Sequence, residues 1–390
     1  LEKYAFDIMT ALETVADAVG AENVIIAVKP AYKNAIAAVE ANLEKFPKTR
    51  IGLLPEVYPA GDEVVTIYET TGRVVSPGCL PITVGVTVYN VETMLNAAYA
   101  VAQGKPVIEK YITITGEVKN PITLKAPLGI TYGELIKYAG GATCDDFVII
   151  AGGPMTGRIS SLSDVVTKTS NAILVMPRNA YIVNKRLTPI GISMKRAMSA
   201  CCQCRMCTDL CSRNLLGHPI EPHRFMRAAT SGIATDTPAY LNTFFCSGCG
   251  LCSMYSCPQG LNPQAMIAET KGALRKGGVT PPKDAVLKPV SPTRKYRLVP
   301  MSKLTARLGL LKYDKKAPLT DVEVKAASVR INLSQCIGAP SVPTVKVGDT
   351  VKRADKIADA PEGKLGTPVH ASIDGKVTEV TDKYIRISAE

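Results

Sequence analysis

Two stretches, CCQCRMCTDLC at Cys201–Cys211 and CSGCGLCSMYSCP at Cys246–Pro258, decide how this chain is read. The first is C-x2-C-x2-C-x3-C at Cys201, Cys204, Cys207 and Cys211; the second is C-x2-C-x2-C-x4-C-P at Cys246, Cys249, Cys252 and Cys257. Three thiolates at two-residue separations can wrap three corners of a 4Fe–4S cubane, because the backbone between them loops around the cluster and turns N–H groups toward its sulfides. In two-cluster ferredoxins the fourth cysteine of each run serves the other cluster. By that rule Cys201, Cys204, Cys207 and Cys257 hold one cluster, and Cys246, Cys249, Cys252 and Cys211 the other, close enough for fast electron exchange. Structural zinc wants four ligands in two C-x2-C pairs, so a third cysteine at the same spacing in each motif is surplus to it.

Two departures stand out: Ser212 replaces the proline after the first motif, and four residues rather than three precede Cys257. Neither removes a thiolate. Cys202 reads as a bystander beside a ligand, the alternative being a shifted register in which it competes. Cys79, Cys144 and Cys336 stand alone and read as small apolar residues. His218 and His223 read as cap or packing residues near the clusters.

Outward from the cysteines, the chain divides by texture. Residues 1–106 carry a strand, helix and strand over 20–54: VIIAV at 24–28, a helical face of Ile36, Val39, Leu43 and Phe46, and RIGLLP at 50–55. This is a βαβ unit, hence a covered parallel sheet. Near the start of residues 107–157 runs KYITITGEVKNP at 110–121, alternating Ile112 and Ile114 against Thr113 and Thr115. Thr131 and Glu134 have capping-box spacing, and FVIIA at 147–151 reads as a buried strand, so a small β-grasp unit is expected. Residues 158–195 read as a connecting segment and 196–280 as helices punctuated by the cysteines. The proline-rich basic strip 281–322 reads as a solvated linker, with docking of an acidic redox partner as its functional alternative. Residues 323–390, with turns at Gly338, Gly348–Asp349, Gly366 and Asp374–Gly375, read as a compact β-barrel or sandwich.

Composition narrows the function. Nine of the twelve cysteines fall between 201 and 257, which suits metal rather than a disulfide scaffold. The net charge of +12 is not accompanied by an Arg/Lys–aromatic pattern: aromatics are 5% and Trp is absent, which argues against nucleic acid. Two clusters would also remove about four of those charges. No apolar run approaches the length of a membrane span, and the first residues have neither the basic start nor the cleavage site of a secretory signal.

With these motifs in view, the chain resembles the RnfC family of the Rnf electron-transport complex, and more closely the cobalamin reductases of propanediol-utilisation microcompartments. The resemblance runs over nearly the whole length and includes the four-residue gap before Cys257. LSQCIGAPSVPTVKVGDTV and GTPVHASIDGKVTEV are similar to a barrel-sandwich hybrid module, here at the C-terminus. The resemblance implies a multidomain α/β and β architecture. Its parts are a complex I flavin-subunit-like α/β domain, a soluble-ligand-binding β-grasp (SLBB) module, a helical two-cluster ferredoxin-like domain and the barrel-sandwich hybrid. The α/β portion is similar to the flavin-binding subunit of complex I, whose FMN-contacting segments correspond to YPAGDE at Tyr58–Glu63 and VYNVET at Val88–Thr93. It thereby implies that Tyr58, Gly61, Asp62, Glu63, Val88, Tyr89, Asn90 and Thr93 line one side of an FMN site. The family's glycine-rich G-x-G-G-A-G-F-P-T loop is not in this sequence, and its place would be before Leu1, so an N-terminally truncated piece with an incomplete FMN and NADH site is expected.

The expected function is electron transfer from NADH through FMN and two 4Fe–4S clusters to a corrinoid or a redox carrier. The expected place is the cytoplasm, in the lumen of a bacterial microcompartment, with shell or enzyme proteins as neighbours. The alternatives are a peripheral subunit of a membrane Rnf-type complex and a zinc-stapled scaffold. The β-grasp module is expected to be structural, and Lys376, after Asp374–Gly375, is expected to stay unmodified despite the barrel's likeness to lipoyl and biotinyl carriers.

Overall fold

The computed structural model describes residues 1–389 and separates into two compact units, 1–98 with 187–310, and 99–186 with 311 onward. Each unit is therefore built from two distant pieces of chain.

In the first unit the strands Val24–Val28 and Thr49–Leu53 pair in parallel, Val24 opposite Thr49 and Val28 opposite Leu53. The helix between them, Lys33–Glu40, stops sooner than the apolar spacing predicts: Leu43 lies in a short 3-10 turn and Phe46 beyond it. Phe46 nonetheless reaches the same small core as Ala5, Met9, Ile26 and Val39. The next helix, Glu63–Thr71, starts at Asp62, whose carboxylate accepts from the backbone N–H groups of Val64 and Val65, the usual role of Asp at an N-cap. Its apolar face, Val64, Val65 and Ile67, shares a core with Val75 and with Leu216 from the cysteine segment. The flavin-type and iron–sulfur stretches thus belong to one folded body.

Most lysines of the strip after residue 280 are exposed, as a solvated linker would have them, but the strip is pinned to the first unit between 288 and 300. Lys288 donates its N–H to the Gly217 carbonyl, Ser291 to that of Leu215, and Val299–Pro300 pair antiparallel with Val57–Tyr58. Arg294 is only 8% exposed, with its guanidinium on the Tyr68 ring and ion-paired to Glu69. A basic composition suggested solvent, but planar guanidinium stacking and pairing allow such a residue to be buried.

The second unit holds a five-stranded sheet in the order 122–127, 109–116, 172–177, 147–151, 158–160. The segment expected as a connector at 158–195 therefore supplies an edge strand and the central strand, Ala172–Pro177, parallel to Glu109–Gly116. Gly116 sits at φ 95°, and a Cβ there would lie 2.1 Å from the Val175 carbonyl oxygen, so only glycine lets the strands meet. The capping box forms: Thr131 Oγ1 accepts from the Glu134 N–H, and the Glu134 carboxylate accepts from the Thr131 N–H. The C-terminal strands form one four-stranded and one three-stranded sheet, whose Ile331, Ile385 and Ile387 join the core of Ile112 and Ile114. Lys376 lies within a strand, opposite Thr350 and Ser388, rather than at a hairpin tip. Among the described residues no helix is long and apolar enough to cross a membrane.

Candidate metal and flavin site

The helix Ile190–Ala200 ends where Cys201 leaves helical dihedrals at φ −73°, ψ 104°, and the chain then loops through Cys204 to a single turn, Met206–Asp209. Cys211 ends this run in the same extended conformation, φ −72°, ψ 116°. The second motif repeats the path with one residue more, and the extra residue is taken up by a π-helical turn, Cys252–Ser256, before Cys257 at φ −75°, ψ 115°. A π turn closes one residue later than an α turn, so the longer gap delivers its last cysteine in the same backbone geometry.

Cys201, Cys204, Cys207 and Cys257 line one cavity, with an empty volume of about 360 Å³ that includes its open mouth; Cys202, His223, Met226 and Pro258 are among the other walls. Burial, and then the neighbouring Cys257, Cys204 and Cys201, push the Cys207 thiol up to about 12. The Cys211 thiol is likewise raised to about 12, by burial and then by Cys249, while Cys252 is raised by burial and then by Cys246, Cys249 and Cys211. Cys257 thus joins three thiols of the other motif in the cavity, and Cys211 of the first motif lies close to Cys249 and Cys246 of the second. None of the cysteines is in a disulfide. Thiols packed this way stay protonated by themselves, and a polycation among them is what would turn them into ligands. Among the described residues no three Cys, His, Asp or Glu side chains converge on a point fit for a single ion. Thiols spread around a volume suit a cubane, which occupies the space between them. Backbone donors are in place as well: Gly248 N–H points to Cys246 Sγ and Leu261 N–H to Cys257 Sγ, both at 3.3 Å.

Two of the remaining cysteines differ from expectation. Cys79 and Cys336 are exposed and Cys144 is half-buried, so the first two are surface thiols rather than packing residues. Cys202 is exposed at the cavity mouth. His223 Nδ1 is 2.8 Å from Thr208 Oγ1, and His218 is 3% exposed, its imidazole pushed down to about 4 by burial and then by Arg213.

The flavin-type residues fall in two places, the turn into helix Glu63–Thr71 and the start of helix Val91–Gln103. Tyr58 donates its hydroxyl to the Cys249 carbonyl at 2.7 Å, and Asp62 accepts from Arg213 at 2.9 Å. These two tie the flavin-type segment to the second cysteine group. Gly61, Glu63, Val88, Tyr89, Asn90 and Thr93 are exposed, with Asn90 Oδ1 accepting from the Glu92 N–H. They can present a polar and aromatic edge to one side of an isoalloxazine, whereas no run of glycine N–H groups for its phosphate lies nearby in sequence.

Three residues that matter here were not singled out from sequence. Arg213 is one. Gln203 at φ 56° and Arg205 at φ 64° are the others: left-handed conformations that cost a side chain about 1–2 kcal/mol. At the matching places of the second motif stand Gly248, φ 73°, and Gly250, φ 80°. Aligning the two motifs against each other would have exposed the substitution.

Four family signatures match in turn: the Nuo51 FMN-binding domain over residues 1–99, the SLBB domain over 111–159, the 4Fe-4S dicluster domain over 200–262 and the RnfC barrel sandwich hybrid domain over 310–389. The cobalamin reductase PduS of Salmonella typhimurium is 41% identical over 371 residues, 95% of this chain and 81% of that protein; the one from Citrobacter freundii matches equally. One component of the Na(+)-translocating ferredoxin:NAD(+) oxidoreductase complex of Acetobacterium woodii is 30% identical over 210 residues, 53% of this chain and 45% of that component.

Proposed function

Because the chain belongs to the cobalamin reductase PduS family, we propose that it passes electrons from NADH, through FMN and two 4Fe–4S clusters, to a corrinoid or a redox protein. Bound FMN converts a hydride into single electrons, and the clusters carry them one at a time. The observation that supports this best is the single cavity walled by Cys201, Cys204 and Cys207 from one motif and Cys257 from the other. Those four are the proposed ligands of one cluster; Cys246, Cys249, Cys252 and Cys211 are those of the other. Gly61, Glu63, Val88, Tyr89, Asn90 and Thr93 would face the flavin, while Tyr58 and Asp62 anchor that edge to Cys249 and Arg213. Iron–sulfur chemistry displaces the zinc scaffold because the dicluster signature spans all eight cysteines.

Anaerobic metal and sulfide analysis tests the reading. About eight iron and eight sulfide per chain are expected, with broad absorption near 400 nm bleached by dithionite; a colourless protein holding zinc would overturn it. Location in a microcompartment lumen belongs to the same proposal. Protease protection in purified microcompartments is expected, and digestion as fast as that of the free protein would refute the location. The match to the RnfC barrel favours a second reading, a peripheral component of a membrane complex, which would co-purify with membrane proteins.

A further inference from the structure

The two cysteine groups differ in access. Around the first, Cys202, Gln203, Cys204 and Arg205 are exposed and form the lip of the open cavity with Pro258 and Gln259. Around the second, Cys252 is buried and Cys211, Cys246 and Cys249 are only partly accessible. The second group also holds the hydrogen bond from Tyr58, on the flavin-type side.

At the exposed lip, two residues hold left-handed backbone that the second motif gives to glycine, and each carries a side chain with an evident use. Gln203 Nε2 donates to Cys201 Sγ at 3.2 Å, a bond that favours the more negative, reduced state of a thiolate-bound cluster. Arg205 puts a cation at the mouth. Lys195 and Arg196, both exposed, precede it, and no Asp or Glu occurs between Thr188 and Cys207. Ile192, Met198 and Met206 are 46%, 63% and 38% exposed on the same segment. Weak electron-transfer encounters use small contact areas and rely on opposite charge to steer approach.

We propose that the lip formed by Gln203–Arg205 is the electron-exit port, at which a redox protein ringed by carboxylates docks, with Arg205 steering its approach and Gln203 tuning the donor cluster. The inference rests on the iron–sulfur reading above. The step is a one-electron transfer: a cluster in the 1+ state returns to 2+ and the acceptor gains that electron, with no bond made or broken.

Glycine suits both backbone positions, so Arg205→Gly and Gln203→Gly should fold and load iron like the parent. Stopped-flow oxidation of the dithionite-reduced, iron-loaded protein provides the test, with acidic cytochrome b5, basic cytochrome c and free aquacobalamin as acceptors. Lys364→Ala, an exposed lysine elsewhere, controls for net charge. Arg205→Gly should slow cytochrome b5 reduction about tenfold at low ionic strength, converge with the parent at high salt, and speed cytochrome c reduction. Gln203→Gly should lower the midpoint potential of one cluster by EPR titration and leave the other unmoved. With clusters intact, equal cytochrome b5 rates in Arg205→Gly and the parent, or a Lys364→Ala effect of the same size, would overturn the port. Slower aquacobalamin reduction with unchanged cytochrome b5 reduction would overturn the partner class. Absence of iron and sulfide in the parent would instead sink the iron–sulfur reading itself.

Discussion

Arg213 Nη2 donates to Asp62 Oδ2 at 2.9 Å across 151 positions of sequence, with side chains only 12% and 14% exposed. Asp62 spends its other oxygen on the cap of helix Glu63–Thr71. One carboxylate therefore starts a helix of the flavin-type half and fixes the arginine that follows Cys211.

Asp62→Asn separates these two duties, since asparagine caps as well as aspartate but cannot pair with a cation. Breaking one partner of a shielded pair leaves an uncompensated charge and should cost about 3 kcal/mol in urea denaturation. Asp146→Asn is the comparison: the Arg178–Asp146 pair is 56% and 70% exposed, so its loss should stay within about 0.5 kcal/mol.

Cysteine variants distinguish the proposed ligand sets. Cys204→Ser and Cys257→Ser, from opposite motifs, should remove the same EPR signal, and Cys211→Ser the other one. Cys202→Ser should retain about eight iron. If Cys202→Ser loses a cluster while Cys201→Ser keeps both, the register is shifted by one.

Flavin content should fall far below iron content in this 390-residue chain, because no glycine-rich N–H cradle for phosphate is present in it. Without added FMN, NADH should then fail to bleach the clusters while dithionite succeeds. Titrating in excess FMN should bring NADH-driven bleaching; stoichiometric FMN in the isolated protein would mean that another loop cradles the phosphate.

Glu117 gives the second unit a defined acid sensitivity. Lys312, Tyr313 and Thr143 all donate to its carboxylate, at 2.7, 2.6 and 2.9 Å, and hold it down from its ordinary 4.5 to about 2. A depressed carboxylate stabilises the fold above its unfolded value and loses that contribution as pH falls through the folded one. Stability should therefore drop between pH 4.5 and 2, and Glu117→Gln should flatten that part of the curve. A variant as acid-sensitive as the parent would show that other carboxylates govern the transition.

What sequence disclosed and what it hid follow from range. The Thr131–Glu134 box and the cysteine spacings are local and were readable. The Ala172–Pro177 strand is as apolar as any, yet its central place depends on partners at 109–116 and 147–151, which no local pattern specifies. Arg294 misled because charge suggests solvent, while its burial depends on Tyr68 and Glu69 more than two hundred residues earlier. The candidate ligands were legible, but the left-handed Gln203 and Arg205 between them became visible only in the backbone angles.

The wall that Cys257 contributes to the first cavity also sets a timetable for biosynthesis. A ribosome that has released residues 201–211 has made three sides of a cluster pocket and not the fourth. Iron delivered then would meet an incomplete cage exposed to oxygen and water. On the proposed ligand sets the first cage closes only when Cys257 has emerged and folded back, whereas Cys211, Cys246, Cys249 and Cys252 are all present before it, so a nascent chain arrested just before Cys257 should hold the second cluster and not the first.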